Sequence, residues 1–393
     1  MITLTSAQDA LKDAYLGAVT EALNINANPL LAKIKQTTND VWGKEIIRLT
    51  SYGVNGGVGA GTETGALPTS GENKYVKFVT TLKNLYGTIE ISDKAIRASE
   101  NNAGAFVNLL NSEMESLIKS ANYNFGRMLF SDGTGKLASI QSATGSTVVV
   151  DTIKPVIEGL RCDFYKASDN SAVADMQGVR ITAIDRANKK ITFEKAMPTA
   201  VTGGSADDFY ITVQNSKGQE LTGLGAIFKS TGTLYGVDRA NYSWMVPSMK
   251  TASSGKLTET AMQELIDDLS EVSGSEVDYI TCASNVKRIY QALLTTNKRN
   301  IDVMELQGGF KAISYNGIPV ISDRFIEDGV MYLLNTKDFA LHQLCDWRWL
   351  EGEDGKILKQ KAGYPAYTAT LVKYADLICT RPNGQAKLSG ITQ

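Results

Sequence analysis

The segment NNAGAFVNLLNSEMESLIKSANYNFGRMLF, residues 101–130, carries Ala103, Phe106, Val107, Leu110, Met114, Leu117, Ile118, Ala121, Phe125 and Met128 at three-to-four spacing. That period predicts one amphipathic helix. At 1.5 Å per residue it would run roughly 40 Å, far beyond the usual ten to fourteen residues, before SDGTGK breaks it. A helix of that length with one apolar face acts as a spine laid across a sheet. Its aromatic and Met positions are read as core, not as cofactor contacts.

The sheet is expected from the residues before it. GKEIIRLTSYG and KYVKFVTTLKNLYGTIEIS alternate as extended strands, with Val76, Phe78, Thr80 and Leu82 on one face and Lys77, Val79, Thr81 and Lys83 on the other. Between them, residues 51–71 hold seven Gly in 21 positions, and most of the rest are small or polar. Loops longer than about 12–15 residues are uncommon in compact domains and are usually functional or disordered. Two strands ending in such a tip cannot bury themselves, because a lone hairpin is marginal in water, so a neighbouring subunit is expected to support it. The candidate assembly residues are Gly53, Gly56, Gly57, Gly59, Gly61, Glu63, Gly65 and Pro68.

Elsewhere the patterns are shorter. The first 40 residues have a brief helical pattern (Ala10, Leu11, Ala14, Tyr15, Ala18) too thin for its own core, and are expected to lie along another surface. Residues 146–215 read as a separate small β barrel, with strands around the turn Asp185-Arg186-Ala187-Asn188. From 257 onward strands and helices alternate: Thr258 can cap a helix carrying Met262, Leu265, Ile266, Leu269 and Val272, VDYITCA is a buried strand, SNVKRIYQALLTT a second helix, and Asn316-Gly317 and Asp328-Gly329 mark turns. The last strand, YTATLVKYADLICTRP, is expected to return to the spine.

The chemical inventory is thin. Forty Lys and Arg against 42 Asp and Glu give a net charge of −2, without the basic surplus of a strong sequence-independent DNA binder. The one histidine, His342, excludes His-pair zinc motifs, and its apolar strand context makes it a strand residue, not a catalyst. Cys162, Cys282, Cys345 and Cys379 form no CxxC pair and are expected to be buried reduced thiols. GVNGGVGAGTETG lacks the Gly-x-Gly-x-x-Gly spacing, and DGTGKL has Leu137 where a P-loop needs Ser or Thr and Phe130 where it needs Gly. Asp207-Asp208 and Asp267-Asp268 are read as solvated charges. No run reaches the 18 or so apolar residues of a membrane span, and the start lacks a leader pattern, so an unexported chain without a membrane partner is expected.

The order of these pieces resembles the major capsid proteins of tailed double-stranded DNA bacteriophages. The likeness rests on TETGALP with LKNLYGTIEISDKAI at the loop base, the 101–130 spine, GLGAIFKSTGTLYGVDRANYSW, LTETAMQELIDDL and NGIPVISD. It implies an α+β fold: an N-terminal arm (1–40), an extended β-hairpin loop (41–90), a peripheral domain with the spine helix (91–145), an inserted β-barrel-like domain (146–215), a connection (216–256), an axial α/β domain (257–365) and a C-terminal return to the peripheral domain (366–393). It also implies a coat protein that self-assembles into pentamers and hexamers of an icosahedral head, with no catalytic, metal or cofactor residues. Its implied partners are a separate scaffolding protein, a portal, packaged double-stranded DNA held without sequence-specific contact, and a decoration protein. Its place would be the virion, after assembly in the bacterial host cytoplasm. Some relatives cross-link a loop Lys to a neighbouring Asn; Lys44, Lys74, Lys77 and Lys83 are present, but no matching Asn motif is, so none is carried over. A cellular nanocompartment shell of the same fold and, more remotely, a multidomain enzyme working between the β insertion and the α/β domain are the alternatives.

Overall fold

The computed structural model describes residues 28–94, 103–296, 303–305, 311–351 and 357–393. The reading of residues 1–27 as an arm lies outside the described residues, as do the side chains of the first turns of the spine.

The spine is the helix Ala103–Phe130. Met114, Ile118, Phe125, Met128 and Leu129 are buried along one face, as their spacing requires. Beneath it lies a sheet whose central strand, Ala366–Cys379, pairs antiparallel with Lys83–Ser92 on one edge and with Phe339–Trp349 on the other. Phe125 meets Trp347 edge-on at 6.1 Å. Between helix and sheet, Lys373 is fully buried, 5.3 Å from the Phe125 ring and ion-paired to Asp346 at 2.6 Å. The segment from Asn28 joins this body as the short helix Pro29–Lys33 and the strand Lys35–Thr37, which adds parallel to Phe339–Trp349. It crosses the spine at Gly126, where a Cβ would lie 2.3 Å from the buried Asn28 amide, so only glycine admits the crossing.

A seven-stranded mixed sheet forms the α/β half, in the order Ser248–Thr251, Ala386–Ser389, Met331–Leu334, Tyr279–Cys282, Ile318–Ser322, Lys311–Tyr315 and Val303–Glu305. The helix Glu259–Ser273 starts where Thr258 Oγ1 accepts from Ala261 N at 3.1 Å, and stops at Gly274 with φ +60°. Met262, Leu265 and Leu269 are buried, whereas Val272, expected on the same apolar face, is exposed at its end. The second helix is Ser284–Thr296. Asn316 and Gly317, with φ +50° and +78°, make the two-residue turn between Tyr315 and Ile318.

Three boundaries differ from the sequence expectation. The barrel begins at Lys136 and not at 146, because Lys136–Thr144 pairs with both Thr147–Val150 and Phe209–Val213, and six strands close only with it. Strand Phe339–Trp349, expected in the α/β domain, lies in the spine sheet. Conversely Ala386–Ser389, expected to return to the spine, sits inside the seven-stranded sheet, where Ala386 and Leu388 are buried. In each case alternation marks a strand, but its partner lies far away in sequence. The barrel encloses a core of its own around Phe164, Phe193, Ile191 and Ile211.

Candidate assembly surface

Strands Glu45–Tyr52 and Lys74–Thr81 pair along their whole length, from Glu45 opposite Thr81 to Tyr52 opposite Lys74. One face of this hairpin is anchored. Tyr52 stacks on Trp244 (5.6 Å, 16°) and meets Tyr242 edge-on; Phe78 is fully buried between Tyr235 and Trp244. Val79 N donates to Tyr235 O at 2.9 Å. The strand Lys83–Ser92, expected within the extended loop, leaves the hairpin after Leu82 and enters the spine sheet.

The socket is made largely by residues 222–245. Arg239 is buried and donates to four carbonyls, those of Ala226, Ile227, Thr231 and Met245, holding this coil in one shape. Tyr235 Oη donates to Leu377 O and accepts from Cys379 N, both at 3.0 Å, and its burial raises its pKa well above the ordinary value. Deeper still, the buried Asp376 carboxylate accepts from Thr80 Oγ1 (2.7 Å), Thr222 N (2.8 Å), Thr222 Oγ1 (3.0 Å) and Leu377 N (2.9 Å). Burial raises its pKa, opposed by the Thr222 and Thr80 hydrogen bonds and the charge of Lys83. His342 stands opposite Asp376 across the strand pair and is fully buried; its Nδ1–H donates to Asn39 O at 2.9 Å, and burial lowers its pKa. The lone histidine is therefore a clasp for the arm segment.

The outer face is bare. Leu49 and Tyr75 point to solvent on the hairpin, and Trp42 does so beside it. Beyond Tyr52 the chain has no regular structure up to Lys74, and its two limbs touch at a neck. There a Cβ on Gly71 would lie 2.4 Å from Gly57 N and 2.3 Å from Asn55 Oδ1, which itself accepts from Gly57 N at 3.0 Å. Past the neck Gly59 rests against the Pro68 ring, and a turn closes from Gly65 N to Thr62 O at 3.2 Å. Gly53, Gly56, Gly61, Glu63, Gly65 and Pro68 are all exposed, with Gly57 half-buried. Val54, Val58 and Leu67 are 91%, 91% and 89% exposed. Single exposed apolar residues are ordinary, but here several lie along one projecting hairpin and its tip.

Sequence reasoning located the tip glycines and missed its neck at Asn55 and Gly71. The anchors Tyr235, Arg239, Trp244 and Asp376 were also unassigned; the only local signal was the aromatic density of GTLYGVDRANYSW. Of the four lysines near the loop, Lys74 pairs with Glu72. The paired aspartates behave as surface groups: Asp207 accepts from Gln141, Asp267 from Gln263, and Asp268 pairs with Lys250. Cys162, Cys282 and Cys379 are buried, with burial raising the first two thiols to about 12, whereas Cys345 is only half-buried. No described helix is long and apolar enough to cross a membrane, and among the described residues no three His, Cys, Asp or Glu side chains gather as a metal site.

No protein-family model matches the sequence, and no curated protein matches it. Solved structures do. The capsid asymmetric unit of cyanophage A-1(L) superposes with a TM-score of 0.55 at 12% identity, covering 97% of this chain and 93% of that one. The chain has the fold of a phage capsid subunit. The holo-SrpI encapsulin complex from Synechococcus elongatus PCC 7942 aligns at 0.49 and 10% identity over 93% and 90% of the two chains. The capsid of Myoviridae phage XM1 aligns at 0.43 and 11% over 93% and 92%.

Proposed function

We propose that the chain is the major capsid protein of a tailed double-stranded DNA phage, a structural coat protein that self-assembles into the pentamers and hexamers of an icosahedral head and works without catalysis. The observation that carries this reading is the projecting hairpin of residues 45–81, anchored on one face and leaving Leu49 and Tyr75 uncovered among polar residues on the other, with Val54, Val58 and Leu67 uncovered at its tip. The capsid fold supports it. Covering Leu49, Val54, Val58 and Leu67 by a neighbouring copy removes apolar surface at roughly 25 cal/mol per Å². Each contact is modest, but every subunit of a closed shell makes several, so closure multiplies them.

In this reading the residues 41–90 are the inter-subunit loop, with Gly53, Gly56, Gly57, Gly59, Gly61, Glu63, Gly65 and Pro68 at the contact. The body under the spine is the peripheral domain, and the seven-stranded sheet faces capsomer centres. Chemically identical subunits must adopt a fixed curvature, which a scaffolding protein supplies, and DNA enters by a portal. The barrel is the natural seat for a decoration protein. The assembled product is the virion capsid, built in the bacterial cytoplasm.

Light scattering of the purified chain, with negative-stain images of its heaviest fraction, tests the proposal. Megadalton shells or capsomer rings are the expected result, and packaged genomic DNA in them separates a phage head from a protein-filled compartment. A chain that stays monomeric with and without its co-expressed neighbours would overturn it.

A further inference from the structure

Where the spine helix, the barrel and the α/β half meet, an open groove of about 660 Å³ is lined by Lys119, Lys154, Arg186 and Arg324 against one carboxylate, Glu158. The near-neutral chain thus places four cations around one depression. They arrive from unrelated elements: Lys119 from the spine, Lys154 from the chain after the second barrel strand, Arg186 from the barrel turn 185–188, and Arg324 from the coil after Ile318–Ser322. On the spine, Ser116, Lys119, Ser120 and Tyr123 share one face at three-to-four spacing, giving a polar stripe beside the apolar one.

Lys154 is a structural member. Its Nζ donates to Ile326 O at 2.8 Å and pairs with Asp328 at 2.7 Å, while Tyr123 Oη donates to Lys154 O at 3.2 Å. These bonds fix the barrel against both neighbours and make the groove rigid. The other three cations are different. Lys119, Arg186 and Arg324 are exposed and have no carboxylate partner among the described residues. The Arg324 guanidinium carbon lies 4.7 Å from the Tyr123 ring centre and 5.0 Å from that of Phe325, so two aromatic rings hold it at the groove while its N–H groups make no hydrogen bond among the described residues. A guanidinium held against aromatic rings with open donors matches a phosphate. Three cations outside any ion pair, facing the single lining carboxylate of Glu158, repel one another, and a polyanion relieves that repulsion.

We infer that this groove is a phosphodiester-backbone site, in which Lys119, Arg186 and Arg324 contact duplex DNA without reading its sequence. The charge geometry stands without the shell reading; only the identity of the DNA as enclosed cargo rests on that reading. Binding of this kind is weak per subunit and driven by counter-ion release, so it accumulates only over many subunits facing one length of DNA.

The test is fluorescence anisotropy of a labelled mixed-sequence duplex titrated with the unassembled full chain at several salt concentrations. Each phosphate contact removed lowers the slope of log K against log salt by about one. The triple variant Lys119→Gln, Arg186→Gln, Arg324→Gln is expected to lose a slope of about three. The double variant Lys119→Gln, Arg186→Gln changes only unpaired exposed side chains and is expected to lose about two, which keeps the test valid should Arg324 matter for folding. An unchanged slope in both variants overturns the site. So does competition by polyglutamate equal, per charge, to that by unlabelled duplex, which would make the groove a seat for an acidic protein segment. Particle formation, measured separately by light scattering, tells failure of this site from failure of the shell reading.

Discussion

The hairpin of residues 45–81 and the barrel of residues 136–213 are both β excursions from the same body, yet they solve the burial problem in opposite ways. The barrel joins six strands edge to edge, so each backbone ladder finds a partner and Phe164, Ile191 and Ile211 are sealed inside. Closure removes sheet edges altogether. The hairpin has two long strands, Glu45–Tyr52 and Lys74–Thr81, and a single socket; its other face and its tip stay in water with Leu49, Val54, Val58 and Leu67 uncovered. One excursion is finished within the chain, and the other leaves apolar side chains uncovered, which in the reading proposed above a neighbouring copy covers. An element whose apolar surface is satisfied internally adds stability or a platform, whereas one left unsatisfied specifies an encounter.

The sharpest way to break this comparison is to delete residues 54–66. Assembly should be lost entirely while the monomer unfolds at the same temperature within about 1 °C, since the segment touches only the neck and tip of its own loop and no core residue; light scattering and calorimetry read the two effects. Shells that still form would remove the tip from the interface.

Within the barrel, Phe164 is fully buried and meets Phe193 at 5.0 Å, so Phe164→Ala should cost about 3–5 kcal/mol of barrel stability. Because the barrel core is separate from the main one, urea unfolding should then split into two transitions, with barrel amides exchanging first. A single cooperative transition would show that barrel and body are one unit.

The foot of the hairpin is less costly to disturb. Thr80→Val removes one of the four donors to the buried Asp376 carboxylate at constant shape, for a loss of about 1–3 kcal/mol in urea titration. It should also weaken assembly by loosening the arm, an effect that the Phe164 variant lacks.

A pH-dependent effect concerns the coil on which the barrel stands. Asp323, just before the segment gripped by Lys154, is buried, and burial raises its carboxyl to about 6, with only the Phe325 N–H and the nearby Arg324 opposing. Its folded pKa lies above its unfolded value, so the native state binds the extra proton between about pH 4 and 6. The stabilising contribution is full below that window and is lost as pH rises through about 6. Asp323→Asn should therefore be more stable than the parent at pH 8 by up to about 3 kcal/mol, and equal to it near pH 4. A difference independent of pH would assign the effect to packing.

Much of the fold was legible because it is set locally. The spine from Ala103 to Phe130 follows from apolar spacing, the helix start from the Thr258 hydroxyl, and the Tyr315–Ile318 turn from Asn316-Gly317. The hairpin strands and their Gly-rich tip were equally readable, since alternation and turn composition act over a few residues. Val272 shows the limit: its spacing is apolar, but the helix outruns the surface it covers. The groove of Lys119, Arg186 and Arg324 was invisible for the same reason, as no spacing rule connects residues some 67 and 138 positions apart along a chain.

The sequence by itself determined which segments are helix, strand or turn, because those preferences are set by neighbours along the chain. Only the tertiary structure decided which sheet each strand joins: Lys83–Ser92 finds its partner in Ala366–Cys379, Lys136–Thr144 is taken into the barrel, and Ala386–Ser389 into the seven-stranded sheet. It also decided that Asp376, Tyr235 and His342, unremarkable in sequence, hold the arm and hairpin in place. Strand pairing is a contest among surfaces of similar alternation, and its outcome depends on which closure buries the most apolar area while leaving no buried polar group unpaired, a property of the whole chain and not of any window within it.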